Sequence, residues 1–217
     1  MHLGKFVSKI KNSRRYLNYA EVIDIVDNRL VNYADKALLL CLYEGIRGQQ
    51  MHEIRSLNIR NLDPAINRII VIDKNGSQRI KGISEKLKEL LIMADKEVLY
   101  TWINKKGIKV LQTYANSPYI FKPTMDSSEK QLILFETFRA RLQRIKEYAD
   151  INFITSKTVF DSGAINLVYT LTRQRGLNEP DNAVFRVLKQ RSGYNLSDAQ
   201  LFNFKKNYRV ATTLNNF

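Results

Sequence analysis

Few residues in this chain have the types and spacing that covalent chemistry needs. The two histidines, His2 and His52, both lie in the first quarter of 217 residues, and Cys41 is the only cysteine. No Cys/His spacing suits a metal ion, and no Ser-His-Asp set can be drawn from these histidines. A glycine-rich phosphate loop ending in Lys-Ser or Lys-Thr is also missing. No metal or cofactor is expected. Carboxylates are plentiful, but many stand beside lysines, as in Glu85-Lys86 and Lys88-Glu89, which reads as solvated ion pairing. What remains is cationic. Lys and Arg total 35 against 21 Asp and Glu, a net charge of +14. Positioned cations of this kind neutralise phosphate oxygens, and a field of this sign attracts polyanions, nucleic acid first among them. The cations are spread along the chain, which favours a folded basic face over a disordered arm.

The elements that must position such a face are mostly helical. Residues 1–18 carry Lys5, Lys9, Lys11, Arg14 and Arg15 and read as a basic linker or entry helix before a domain over 19–217. Helical spacing begins at Tyr19 and runs through Ala20–Asp27. Tyr33–Tyr43 is a strongly apolar helix closed by Gly45, and a short helix follows over Gln50–Leu57. Cys41 lies in that apolar run and reads as a buried thiol in a reducing compartment. The period then changes: β-branched Ile69–Ile72, the turn Asp73-Lys-Asn-Gly76 and Ser77–Ile83 make a hairpin. Ser84 caps the next helix. Pro118 and Pro123 bracket a loop, and helices are expected at Ser128–Tyr148, Ser156–Arg173, Asp181–Gln190 and Ser197–Tyr208. The fold class is therefore mainly α (α+β), with a small antiparallel sheet near its start. No run reaches the ~18–20 apolar residues of a membrane span, and the N-terminus lacks a secretory pattern. A soluble, cytoplasmic protein is expected, without a membrane partner.

The stretch Ala37-Leu-Leu-Leu-Cys-Leu-Tyr-Glu-Gly-Ile-Arg47, followed by Met51-His-Glu-Ile-Arg-Ser-Leu57, resembles the catalytic domain of the tyrosine recombinases, the phage integrase family. The hairpin around Lys74 and the following Ile83-Ser84-Glu85 match that family's lysine-bearing hairpin and the segment after it. Ser117-Pro-Tyr-Ile-Phe121 resembles its Tyr-Leu-Phe segment, and Tyr148–Thr155 its approach to the histidine box. The likeness covers roughly residues 16–210, and the order of the motifs carries it. It implies a tyrosine-recombinase catalytic-domain fold, with the family's N-terminal DNA-clamping domain absent from this chain.

Members of that family attack a phosphodiester with a tyrosine hydroxyl. Two arginines neutralise the non-bridging oxygens, a hairpin lysine protonates the leaving oxygen, and histidines assist. Here Arg47 matches the first arginine and Lys74 the lysine. Taken alone, Arg47 reads as a helix-end cation and Lys74 as a polar turn residue. The third motif should resemble His-Asp-Leu-Arg-Arg-Ser-Gly-Ala, and this chain has Lys157-Thr-Val-Phe160-Asp-Ser-Gly-Ala164. The resemblance thus places Lys157 at the histidine and Phe160 at the second arginine, where Phe160 is expected to extend the core. The later histidine turn looks like Val187–Gly193 and contains no histidine; Trp102, the one tryptophan, is far from it. The nucleophile segment looks like Leu196–Phe204, with Phe202 or Phe204 at the tyrosine position. Tyr208, the candidate tyrosine hydroxyl nearby, lies more than a helical turn beyond it.

The resemblance, with these departures, implies no catalytic residues and a DNA-binding scaffold. Arg47, Lys74, Arg79 and Lys157 are its expected phosphate contacts, with Lys189, Arg191, Lys205, Lys206 and Arg209 from the C-terminal helices. The expected partner is double-stranded DNA, with a possible homo-oligomer on it. The pattern resembles the integrase-derived repressors of temperate phages, which suits a regulator of lysogeny and further implies a bacterial cell and association with the nucleoid. Two other readings stay open: a divergent active recombinase using Tyr208, and a protein-interaction module.

Overall fold

The computed structural model describes residues 16–104, 106–125, 131–192 and 197–214; the basic segment 1–15 lies outside them. Helix α1 (Tyr19–Asp24) starts at a capping box in which the Asn18 side chain accepts the Glu21 N–H at 2.9 Å, while the Glu21 carboxylate accepts that of Asn18. It continues as a π-helical turn over Ile25–Arg29. Helix α2 (Tyr33–Tyr43) is apolar almost all round, and such a helix must be central. It forms the axis of the main core, with Leu38, Leu39, Leu40, Cys41 and Leu42 all fully buried. The expected buried thiol is there.

After the short helix α3 (His52–Arg55) comes a three-stranded antiparallel sheet, β1 (Leu62–Asp63), β2 (Arg68–Ile72) and β3 (Gln78–Gly82), in sequential order. Its period of two sends Ile69 and Val71 inward and leaves Ile70 and Ile80 exposed. The β2–β3 turn closes with Gly76 at φ 83°, as the Asn-Gly pair predicts. Helix α4 (Glu85–Lys96) is capped by Ser84, whose hydroxyl accepts the Leu87 N–H. Lys88 is not a loose surface charge: it bridges Glu85 at 2.5 Å, and Lys86 pairs with Asp27 at 2.7 Å.

Three expectations need correction. The sheet near the start is joined by a second hairpin, β4 (Leu99–Ile103) and β5 (Lys109–Thr113), paired from Leu99↔Thr113 to Ile103↔Lys109. Its signal is the aromatic and β-branched run Leu-Tyr-Thr-Trp-Ile before Asn104, whose side chain accepts two turn N–H groups. Helix α5 spans Phe135–Ala149 and does not begin at Ser128, which lies outside the described residues. The chain just before it is tied down in non-helical form: Arg55 donates to the Ile133 carbonyl at 2.7 Å and Ser117 to that of Gln131. The last helix runs on past Tyr208, because Ala211 still has a core to face.

Helix α6 (Ser156–Gln174) starts at a Thr155/Thr158 capping box and crosses α2 closely. A Cβ on Gly163 would lie 1.6 Å from the Tyr43 carbonyl oxygen, so only glycine fits this crossing. The other side of α6 carries a second apolar cluster with α7 (Asn182–Ser192) and α8 (Asp198–Leu214), built from Tyr16, Ile165, Val168, Val184, Leu188, Phe204 and Tyr208. A buried charge, invisible to periodicity, joins α5 to the core. The Arg141 guanidinium stacks 4.5 Å from the Tyr100 ring, and the Tyr100 hydroxyl bonds Asp35 at 3.0 Å.

Candidate nucleic-acid interface

A half-enclosed cleft of about 650 Å³ opens where four elements meet: the α2–α3 turn, the β2–β3 hairpin, the first turns of α6 and the first half of α8. The turn after α2 makes the approach possible. Gly48 has φ 63°, and a Cβ there would stand 2.7 Å from the Glu53 side chain and 2.9 Å from Asp73. Glu53, on α3, is 6% exposed and organises the floor. It accepts the backbone N–H of Arg47 at 2.9 Å and holds Arg79 in a two-pronged pair, both bonds at 2.8 Å. Arg79 also donates to the Gly45 carbonyl at 3.0 Å. Arg79 thus braces the loop that shapes the cleft, while its Nη1, buried in the same lining, has no hydrogen-bond partner among the described residues. Sequence reasoning missed Glu53, although it stands in the motif quoted around α3.

Arg47 lines the cleft. Its Nε is buried without a hydrogen-bond partner, and among the described residues the guanidinium makes no ion pair. Its group lies 5.7 Å from the centroid of the Phe160 ring. Phe160 therefore does not extend the core: it is half-buried, lines the cleft and underlies Arg47, because its turn of α6 opens toward α8. One turn away on α6, Lys157 pairs with Asp161, both in the cleft wall. Three cations (Arg47, Arg79, Lys157) and three carboxylates (Glu53, Asp73, Asp161) line this space. Arg79 and Lys157 are ion-paired, and among the described residues the Arg47 guanidinium is not; Arg47 Nε and Arg79 Nη1 are both buried without a hydrogen-bond partner.

The other expected contacts do not converge here. Lys74 is exposed on the hairpin turn beside Asp73, its ammonium 3.4 Å from Gln50, at the rim and outside the lining. Lys189 and Lys206 are exposed on α7 and α8, and Lys205 lies over the Phe185 ring at 5.1 Å. Arg209 pairs with Glu179 at 2.9 Å. None of these four lines the cleft, because they project from the solvent faces of α7 and α8. The Arg191 side chain lies outside the described residues.

Of the two positions expected for a nucleophile, Phe204 faces the cleft, 5% exposed and edge-on to Phe185, while Phe202 is 70% exposed on the far side of α8. Tyr208 is 7% exposed in the second core, hydrogen-bonded with Thr172, and is not in the lining. Burial pushes its hydroxyl pKa up, which opposes the phenolate a nucleophile needs. His52 is half-buried on α3 outside the lining, its pKa lowered by burial and then by Arg55; His2 lies outside the described residues. No cluster of three or more His, Cys, Asp or Glu suited to a metal occurs among the described residues, and no described helix is long and apolar enough to cross a membrane.

Residues 16–213 match the family model of the MrpR C-terminal catalytic domain. The chain is 27% identical over 214 residues to the SPbeta prophage-derived uncharacterized protein YopR of Bacillus subtilis (strain 168), covering 95% of this chain and 62% of that protein. It thus spans less than two thirds of that relative's length. Among solved structures, XerA recombinase superposes with a TM-score of 0.57 at 17% identity, over 89% of this chain and 65% of the other. XerH site-specific recombinase, in a pre-cleavage complex with its difH substrate, gives 0.53 at 14% identity, over 92% and 50%. At these identities the likeness establishes the fold, a tyrosine-recombinase catalytic domain, helix-rich with small antiparallel sheets. The match over 16–213 goes further: the chain belongs to the family of the MrpR C-terminal catalytic domain.

Proposed function

We propose that this domain binds double-stranded DNA across the Arg47 cleft without cutting it, and acts as a phage or prophage transcription repressor. The carrying observation is an Arg47 guanidinium that lies over the Phe160 ring with its buried Nε unpartnered. Among the described residues the Arg47 guanidinium makes no ion pair, and the resemblance puts Phe160 where the family has its second arginine. One guanidinium suffices to hold a phosphodiester. Strand transfer asks for more: a second positive charge on the phosphoryl oxygens, a proton donor for the leaving oxygen and a hydroxyl aimed at phosphorus. Phe160 and Phe204 supply neither the charge nor the hydroxyl, and Tyr208 is packed in the second core. The substrate-bound state of the similarly folded XerH and the prophage origin of YopR support the reading.

A mobility shift with duplex DNA over a salt series tests it. Binding should weaken steeply with salt, the log–log slope being about −0.9 per phosphate neutralised. Absence of binding, or binding indifferent to salt, would favour a protein partner.

A further inference from the structure

The contribution of α8 to the cleft carries no charge. Gln200, Asn203 and Asn207 all line it, with Phe204 beneath them, and their spacing sets the three amides along one side of the helix. Gln200 is occupied within the fold, since its side chain accepts the Ser197 N–H at 2.9 Å at the start of α8. Asn203 and Asn207 are not. Both are exposed to the cleft, and among the described residues neither amide has a hydrogen-bond partner. Asparagine is a poor helix former, because its short amide competes with the backbone. Two of them one turn apart in a helix interior therefore weaken α8 without a return inside the fold. Meanwhile Lys205 and Lys206 of the same helix lie outside the lining. The amides occupy the cleft side and the cations the solvent side.

Resting on the DNA reading above, we propose that Asn203 and Asn207 are phosphodiester contacts. Their Nδ2 groups donate to backbone oxygens of the strand that Arg47 holds. They are neutral donors, so they add grip without adding counterion release. This sets them apart from the nine cations read from the sequence, none of which lies on this face of α8.

The test compares Asn203→Ala, Asn207→Ala, the double variant, Asn203→Asp and Arg47→Ala on two duplexes of unrelated sequence across a salt series. Thermal unfolding first establishes that each variant is folded. Each single Asn→Ala should weaken binding roughly three- to tenfold on both duplexes, with the salt slope of the wild type. The double variant should lose more. Asn203→Asp keeps the shape but sets a negative charge against the phosphates, and should bind more weakly than Asn203→Ala. Arg47→Ala should instead flatten the slope by about 0.9. Wild-type affinity in the Asn→Ala variants, with Arg47→Ala impaired, overturns this inference and leaves the DNA reading standing. A loss confined to one duplex overturns the backbone assignment in favour of base contacts. If neither the Asn variants nor Arg47→Ala weaken binding, the cleft is not the DNA site and both fall.

Discussion

The guanidinium of Arg47 lies 5.7 Å from the ring centroid of Phe160, on the first turns of α6. An aromatic face attracts a cation and fixes its plane without neutralising it, so Phe160 positions the Arg47 charge and leaves it available to an anion. Phe160→Ala should therefore weaken DNA binding by about 0.5–2 kcal/mol, and the salt slope should stay unchanged because no charge is lost. Titration of the variant at several salt concentrations checks this. A changed slope would mean that Phe160 acts in some other way.

Arg47→Ala removes the unpaired cation and should cost about 1–3 kcal/mol of binding, the range of charge-assisted hydrogen bonds. Lys74→Ala, at the rim, should also weaken binding. Lys96→Ala is the appropriate control, since Lys96 is exposed at the end of α4 and outside the cleft lining, whereas Lys88 is tied to Glu85. Parallel titrations decide it. A control as damaging as Arg47→Ala would show a diffuse electrostatic surface in place of a site.

Much of this arrangement is written in the order of local motifs. The apolar run of α2, the Asp-Lys-Asn-Gly turn and the Ser-Gly-Ala of α6 each carry their own backbone requirement, and so the elements that hold Arg47, Lys74 and Phe160 are legible along the chain. Their partners are not legible in this way. Nothing in the spacing of Arg79 says that Glu53, 26 residues earlier, holds it with both oxygens. Arg141 sits on α5 like any surface arginine, yet it is 1% exposed against Tyr100. The cations of α7 and α8 fall outside the cleft lining for the converse reason: charge counts ignore which side of a helix turns to the cleft. Long-range pairing and helix facing are tertiary facts.

Gly163 gives a stability prediction. Its added methyl would meet the Tyr43 carbonyl at 1.6 Å, and backbone cannot step aside as a flexible side-chain end can. Gly163→Ala should force α2 and α6 apart and cost at least about 1–3 kcal/mol, despite alanine's better helix propensity. Urea denaturation reads the difference; an unchanged midpoint would contradict this crossing.

Glu44 predicts a pH dependence. Burial, the largest influence, raises its pKa above the ordinary 4.5, against the lowering effect of its bonds with Ser84. A carboxyl with a raised folded pKa holds its proton more tightly when folded. Its contribution is complete below the unfolded value and is lost as pH rises through the folded one. Wild-type stability relative to Glu44→Gln should therefore fall as pH is raised from about 4 to about 8, by at most about 1.4 kcal/mol per pH unit. Denaturation curves of both proteins at a series of pH values test it, and parallel profiles would refute it.

The central claim is retention of DNA binding without the chemistry of cleavage, and a nicked suicide duplex probes both at once. The protein is incubated with the labelled duplex and divided between a native gel and a denaturing one. The account predicts a shifted complex on the native gel and no protein-linked strand on the denaturing gel. A denaturation-resistant adduct that disappears in Tyr208→Phe would contradict it, and would make this domain an active recombinase.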